Sequence, residues 1–274
     1  MEALEFMAAP FAACLVLAVI HAYLGLHVLL RGVIFVDLAL AQIAALGSVV
    51  ALVIANQAPG TATSYIFSLG FALVGAAIFS FTRMRRGKVP QEALIGITFV
   101  IASAAAILVA DRAPEGGEQI KELMAGAILW VDWRSVLTTL AVYALIGLFH
   151  FVYRRRFVLI SENPDGAFEQ GLRVRLWDFW FYASFAIVIT ISVHLAGVLM
   201  VFSYLVAPAI IALAVSSSWG TRILIASATS VLASAFGLFA SYRWDLPSGP
   251  AIVCALALIL LAFGAWRAVR ASTA

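Results

Sequence analysis

The chain has 274 residues, 64% of them hydrophobic and only 11% charged, with a formal net charge of +3 and a mean hydropathy of +1.06. A soluble enzyme is excluded by this balance, since ordinary domains carry about 25% charged residues. The excess positive charge lies in short connections between apolar runs, so it reads as membrane topology and not as a nucleic-acid surface.

Apolar runs long enough to cross a hydrocarbon core of about 30 Å as helices recur along the whole chain. They predict an all-α, polytopic helical membrane protein of about nine spans (eight to ten), over residues 6–30, 33–55, 64–82, 91–110, 135–153, 176–195, 197–216, 222–241 and 249–266. A spanning β-barrel would need alternating segments of about 10 residues, and no such alternation persists. The N-terminal MEALEFMAAPFAA carries Glu2 and Glu5 where a secretory signal has positive charge, so no cleaved signal is expected. Cys14 and Cys254 sit in the middle of apolar runs and carry no disulfide or CxxC pattern. With the Arg31 turn placed inside, only Arg112, Lys121, Arg134 and Arg243 of the 17 basic residues fall outside. The positive-inside rule therefore predicts an outer N-terminus and an inner C-terminus.

Two connections are more than turns. The outer segment 111–134 contains EQIKELMAGAILWVDW, helical in pattern but too short to span, which predicts an interfacial or re-entrant helix with Trp130 and Trp133 at the lipid boundary. The inner segment 154–175 reads RRRFVLISENPDGAFEQGLRVR. In it Ser161, Asn163, Pro164 and Asp165 can cap a short helix through Ala167 and Phe168, ended by Gly171. Such a helix is either a linker or, in a transporter, the place where a motor protein pushes. No Walker-type GxxxxGK[ST], HExxH or GxSxG occurs, so the chain is not expected to be an enzyme, and any ATP hydrolysis belongs to another chain. The whole of 1–274 reads as one transmembrane domain with 154–175 inside it.

Six stretches in order, VDLALAQIAALG (36–47), EALIGI (92–97), IKELMAGAILWVDW (120–133), SENPDGAFEQG (161–171), AGVLMVFSYLVAPAIIA (196–212) and DLPSGP (245–250), give the chain a family likeness. It resembles the permease subunits of bacterial metal-ion ABC importers of the zinc and manganese type, whose wider fold relatives include the cobalamin and siderophore importers. The resemblance implies a multi-pass protein of the bacterial inner membrane, paired with a second permease copy around a translocation path. It also implies two cytoplasmic ATPase subunits docked on 161–171, with Ser161, Pro164, Asp165, Ala167, Phe168 and Gly171 as the coupling residues. A metal-loaded binding protein would dock on the outer face. No permanently bound cofactor and no nucleic acid are implied. The cargo would be Zn²⁺ or Mn²⁺, with Fe²⁺ third.

Ionisable groups within spans cost roughly 2.5–3.5 kcal/mol each on insertion scales, so each is a candidate for function. Asp37 follows Arg31 by about 9 Å of helix, below the inner headgroups. The family pattern has an aspartate here with a histidine four residues on. In this chain position 41 is Ala41 and the polar residue is Gln42. Either Asp37 keeps the aspartate's place, or Gln42 replaces the histidine and Asp37 is shifted by one. His21 and His27 lie about 120° apart around the first span and cannot grip one ion from a shared face. His21 is the expected imidazole partner of Asp37, with an axial mismatch of roughly 6 Å. His194 falls at the outer end of the sixth span, where an entering cation would meet it, and His150 belongs to the inner interface. Glu92 follows Pro90 and suits a capping role at a helix start. Pro208 removes the donor for the Tyr204 carbonyl, so Ser203 and Tyr204 either line a path beside this helix break or the kink is packed by neighbours.

Two functions follow. The first is the membrane permease of an ATP-driven importer for a divalent transition metal. The alternative is a secondary transporter or channel that needs no ATPase, against which stand the odd span count and the absence of an inverted repeat.

Overall fold

The computed structural model describes residues 2–57, 60–82, 90–112, 124, 126 and 128–272, and among these there is no strand. The helices are α1 (Glu2–Arg31), α2 (Val36–Ala55), α3 (Ala62–Phe81), α4 (Gln91–Ala110), α5 (Trp133–Val152), α6 (Arg154–Glu162), α7 (Pro164–Glu169), α8 (Val174–Val215), α9 (Trp219–Trp244) and α10 (Ser248–Ser272). A 3-10 turn covers Ile128–Trp130. Eight of the helices are long and apolar enough to cross a membrane, all but α6 and α7. The chain is thus an all-α, multi-pass membrane protein.

α8 has 42 residues, which at 1.5 Å each would make about 63 Å, twice a hydrocarbon core. It breaks at Gly197, whose φ of 78° and ψ of 159° fall in a region essentially reserved for glycine. The stretches on either side, 174–196 and 198–215, run about 34 Å and 27 Å, each of spanning length. The sequence places the boundary between its sixth and seventh spans at 195–197, on the same glycine. Pro208, by contrast, sits inside helix that continues to Val215. Half of the helix expected over 118–133 lies outside the described residues, as do Lys121 and the basic residues of 83–88.

The chain divides into two compact units. The first comprises Met1–Leu29, Ala125–Tyr143 and Leu195–Ala274. Its apolar centre is built from Ala22, Leu26, Ala209, Ala212 and Ala226, flanked by Leu29, Leu213, Trp219, Ile223 and Ile225. Small residues let backbones touch here, as they do between membrane helices generally. A Cβ on Gly25 would lie 2.1 Å from the Leu205 carbonyl oxygen. Gly126, at φ +71°, sits against the break in α8, where a Cβ would lie 2.1 Å from the carbonyl carbon of Ala196. Trp130 and Trp133 are both exposed, and Trp130 meets the ring of Phe6 edge-on at 5.9 Å.

The second unit comprises Leu30–Met124 and Ala144–His194. α2 packs closely on α3, where a Cβ on Gly47 would lie 2.7 Å from the Phe67 carbonyl oxygen and the hydroxyls of Ser48 and Ser64 bond at 2.9 Å. The beginning of α8 gathers the other elements by polar contacts. Ser80 at the end of α3 donates to the Arg175 carbonyl at 2.6 Å. Gln91 at the start of α4 donates to Tyr182 Oη at 3.3 Å. His150 of α5 bonds Ser184 Oγ at 2.8 Å and stacks on Phe157 of α6 at 4.3 Å.

Candidate functional site

The first turn of α2 leaves its amides without intrahelical partners, and Phe35, which precedes it, offers no side-chain cap. Two carboxylates take amides at this end, one in the first turn and one just before it. Asp37 Oδ1 accepts from Leu38 N–H at 2.7 Å, and Glu92 Oε1, from the first turn of α4, accepts from Phe35 N–H at 3.0 Å. Glu92 therefore does the capping expected of it across to a neighbouring helix, which its position in sequence does not disclose. Asp37 is 1% exposed and has no ion-pair partner among the described residues. The second oxygen of Glu92 is buried without a hydrogen bond among the described residues. One turn and a half along α2, Gln42 Nε2 faces Met124 Sδ at 3.7 Å, while Ala41 is buried.

His194, also in the second unit, accepts no hydrogen on Nδ1: that atom contacts the Thr190 carbonyl at 2.7 Å, and a carbonyl only accepts. A proton therefore sits on Nδ1, and Nε2 is buried without a hydrogen-bond partner among the described residues. The ring lies against Tyr65 at 4.4 Å. Thr190 Oγ1, one turn earlier on the same helix, likewise has no hydrogen-bond partner among the described residues.

In the first unit His21 repeats this pattern, with Nδ1 at 2.7 Å from the Leu17 carbonyl and Nε2 buried without a hydrogen bond among the described residues. Its ring meets Tyr204 edge-on at 6.3 Å. Tyr204 is itself tied to Ser234, and the Cys14 thiol lies beside both. Cys14 thus belongs to a small buried polar network, where its apolar surroundings in sequence suggest only packing. Ser203 turns back on its own helix, donating to the Leu199 carbonyl at 2.8 Å, so Ser203 and Tyr204 do not share one set of contacts. His27 is clasped between Tyr23 at 4.6 Å and Trp219 at 4.7 Å. Asp37 lies in the other unit.

The segment 154–175 forms α6 and α7. Asn163 Oδ1 accepts the Gly166 amide at 2.9 Å and Pro164 opens α7, the arrangement that the Asn-Pro-Asp run predicts. At the other end Gly171, at φ +73°, donates to the Phe168 carbonyl and Leu172 donates to the Ala167 carbonyl, which together make a Schellman close. Ala167 is fully buried with Ile160 and Val174, and Phe168, Leu172 and Trp177 pack around them. Asp165, Glu169 and Gly171 are exposed, whereas Ser161 is buried. Of the six residues expected to couple this segment, Asp165 and Gly171 thus face outward, Pro164 and Phe168 are half-buried, and Ser161 and Ala167 hold the segment from within.

Ser161 is part of a contact that sequence reasoning missed. Arg31 donates through Nη1 to Asp178 Oδ1 at 2.6 Å and through Nε to Ser161 Oγ at 2.8 Å, with both ionic side chains 0% exposed. The guanidinium carbon sits 4.0 Å above the Phe181 ring. The available signal was Asp178, an acid inside the predicted sixth span.

Residues 3–266 of the chain match the ABC 3 transport family. The manganese transport system membrane protein MntC of Listeria innocua is 24% identical over 212 residues, 73% of this chain and 74% of that protein. The chelated iron transport system membrane protein YfeD of Yersinia pestis is 26% identical over 267 residues, 94% of this chain and 84% of that protein. Among solved structures, PsaBC from Streptococcus pneumoniae in complex with Fab shares the fold, with a TM-score of 0.79 at 21% identity, covering 96% of this chain and 93% of that one.

Proposed function

Because the chain belongs to the ABC 3 transport family, we propose that it is the membrane permease of an ATP-driven importer whose cargo is a divalent transition-metal cation. The match to an ABC family speaks against the alternative of a carrier or channel that works without an ATPase. The relatives named for manganese and chelated iron support Mn²⁺ or Fe²⁺ as cargo.

The observation that carries the cation reading is Asp37, a carboxylate in the first turn of a spanning helix, withdrawn from solvent and without a cationic partner among the described residues. A cation passing Asp37 would meet a carboxyl group whose one oxygen is already oriented by the Leu38 amide. Oxygen donors of this kind suit Mn²⁺, whereas imidazole added to carboxylate suits Zn²⁺. His21 and His194 are prepared as ligands, since each is fixed through Nδ1–H on a backbone carbonyl and keeps Nε2 as its donor atom. Within the second unit Gln42 and His194 join Asp37 as candidate cation contacts. Within the first unit His21 is the main candidate, with His27, Ser203 and Tyr204 secondary and Pro208 in the same helix as the last two.

The ATPase subunits, two copies on the cytoplasmic side, would dock on α7 through exposed Asp165 and the accessible edge of Phe168, and on Gly171 just beyond the helix. A second permease copy would complete the path and an extracytoplasmic metal-binding protein would deliver the cargo. The charge bias supports an inner-membrane orientation with α6 and α7 in the cytoplasm. Metal analysis of cells lacking the chain, with growth rescue tested metal by metal, checks the reading. Loss of manganese or iron, rescued by that metal alone, supports it. Unchanged content of manganese, iron and zinc contradicts it.

A further inference from the structure

Arg31 ends α1, and across residues 32–35 the chain enters α2 with Asp37 in its first turn. The guanidinium divides between two other elements, Asp178 near the start of α8 and Ser161 in the last turn of α6. Ser161 passes its own hydrogen to the Phe157 carbonyl at 2.9 Å. An arginine only donates and a carbonyl only accepts, so Ser161 has one orientation in which it serves both. Phe181 lies beneath the guanidinium plane.

α6, α7 and the start of α8 share one apolar cluster, Ile160, Ala167 and Val174. The rings of Phe157 and Trp177 also meet across it at 5.6 Å. The α6–α7 segment therefore packs onto the start of α8, with Ser161 carried by the segment and Asp178 by the spanning helix. The α1–α2 corner attaches to each of them separately through the fork of Arg31. A buried ion pair is a weak source of net stability, because desolvation offsets most of its attraction. Its placement between the α6–α7 segment and the corner that leads to Asp37 calls for another account.

We propose that Arg31 is the joint through which displacement of the α6–α7 segment reaches the α1–α2 corner, and so Asp37. This rests on the reading of α7 as the face on which the ATPase acts. Both contacts are needed: the ion pair ties the corner to α8, and the Ser161 bond ties it to the segment itself. A lysine at 31 would keep the charge but not the fork, since an ammonium is a point donor without a planar pair of N–H directions.

The test uses the permease with its copurified ATPase subunits in proteoliposomes, with the metal-binding delivery protein outside, and reads Mn²⁺ imported per ATP hydrolysed for wild type, Ser161→Ala and Arg31→Lys. Thermal midpoints are measured alongside. Ser161→Ala keeps the ion pair but leaves the buried Nε–H without its acceptor, so its midpoint drops, while at temperatures well below that midpoint its Mn²⁺-per-ATP ratio falls at least about twofold; Arg31→Lys falls further. A wild-type ratio in Ser161→Ala overturns the proposal, whether or not Arg31→Lys folds. So does a ratio that falls only in step with thermal stability. Wild type that imports neither Mn²⁺ nor Fe²⁺ with ATP overturns the transport reading and the joint with it, an outcome distinct from failure of the variants alone.

Discussion

Arg31 and Asp178 pair at 2.6 Å with both side chains entirely withdrawn from solvent, although 147 residues separate them in the chain. Removing one member leaves a buried charge without its counterion, at a cost of about 3–5 kcal/mol, while replacing both with apolar residues is far milder. Asp178→Leu should therefore destabilise the purified protein strongly, and Arg31→Leu combined with Asp178→Leu should recover much of the loss. Thermal unfolding in detergent of the two single variants and the double variant checks this. Additive losses would show that the two side chains act independently.

Asp37→Asn keeps an oxygen for the Leu38 amide, so the start of α2 should be preserved while the charge is lost. Metal-dependent growth should disappear at wild-type expression. His21→Ala should weaken growth less, because it removes a neutral donor and leaves the carboxylate. Both variants are compared by uptake at a series of manganese concentrations. Normal uptake by Asp37→Asn would make the carboxylate structural.

Gly25 offers a packing test. Its absent Cβ would sit 2.1 Å from a backbone oxygen of Leu205, which cannot swing aside as a side-chain end could. Gly25→Ala should cost about 1–3 kcal/mol or more by forcing α1 and α8 apart. Gly147→Ala, with nothing within 4 Å of its added Cβ, should be neutral or better in a helix interior. Detergent size-exclusion profiles and melting midpoints separate the two, and equal behaviour would contradict the close approach.

The spans were legible because each needs only a run of apolar residues, and the α8 break was legible because the boundary between two runs fell on Gly197. α7 was legible for a different reason: Asn163, Pro164 and Gly171 are local signals whose partners lie within a few residues. The Arg31–Asp178 pair had no such signal. Arg31 served the topology count as one of many basic residues, and Asp178 was absorbed into an apolar run. Glu92 shows the same limit, since its carboxylate was expected at a helix start but caps that of α2, 57 residues away. Cys14, Tyr204 and Ser234 meet only through packing of α1, α8 and α9, which periodicity does not specify.

The exposed acids of α7 give a docking test. Asp165→Arg reverses charge on a residue outside the Ile160–Ala167–Val174 cluster, so the melting midpoint should hold. Copurification of the ATPase should fall, as is usual when charge is reversed at an interface. Phe168→Asp should reduce copurification as well, but it also disturbs the packing around Ala167, so Asp165→Arg is the cleaner variant. Wild-type recovery of ATPase with both variants would remove α7 from the docking face.

The most direct measurement is uptake of labelled Mn²⁺ into proteoliposomes holding the chain and its ATPase subunits, with delivery protein outside and ATP or a non-hydrolysable analogue inside. Accumulation against a gradient with ATP alone, lost in Asp37→Asn, is the predicted result. Equal uptake with the analogue, or by the chain without the ATPase, would contradict an ATP-driven permease.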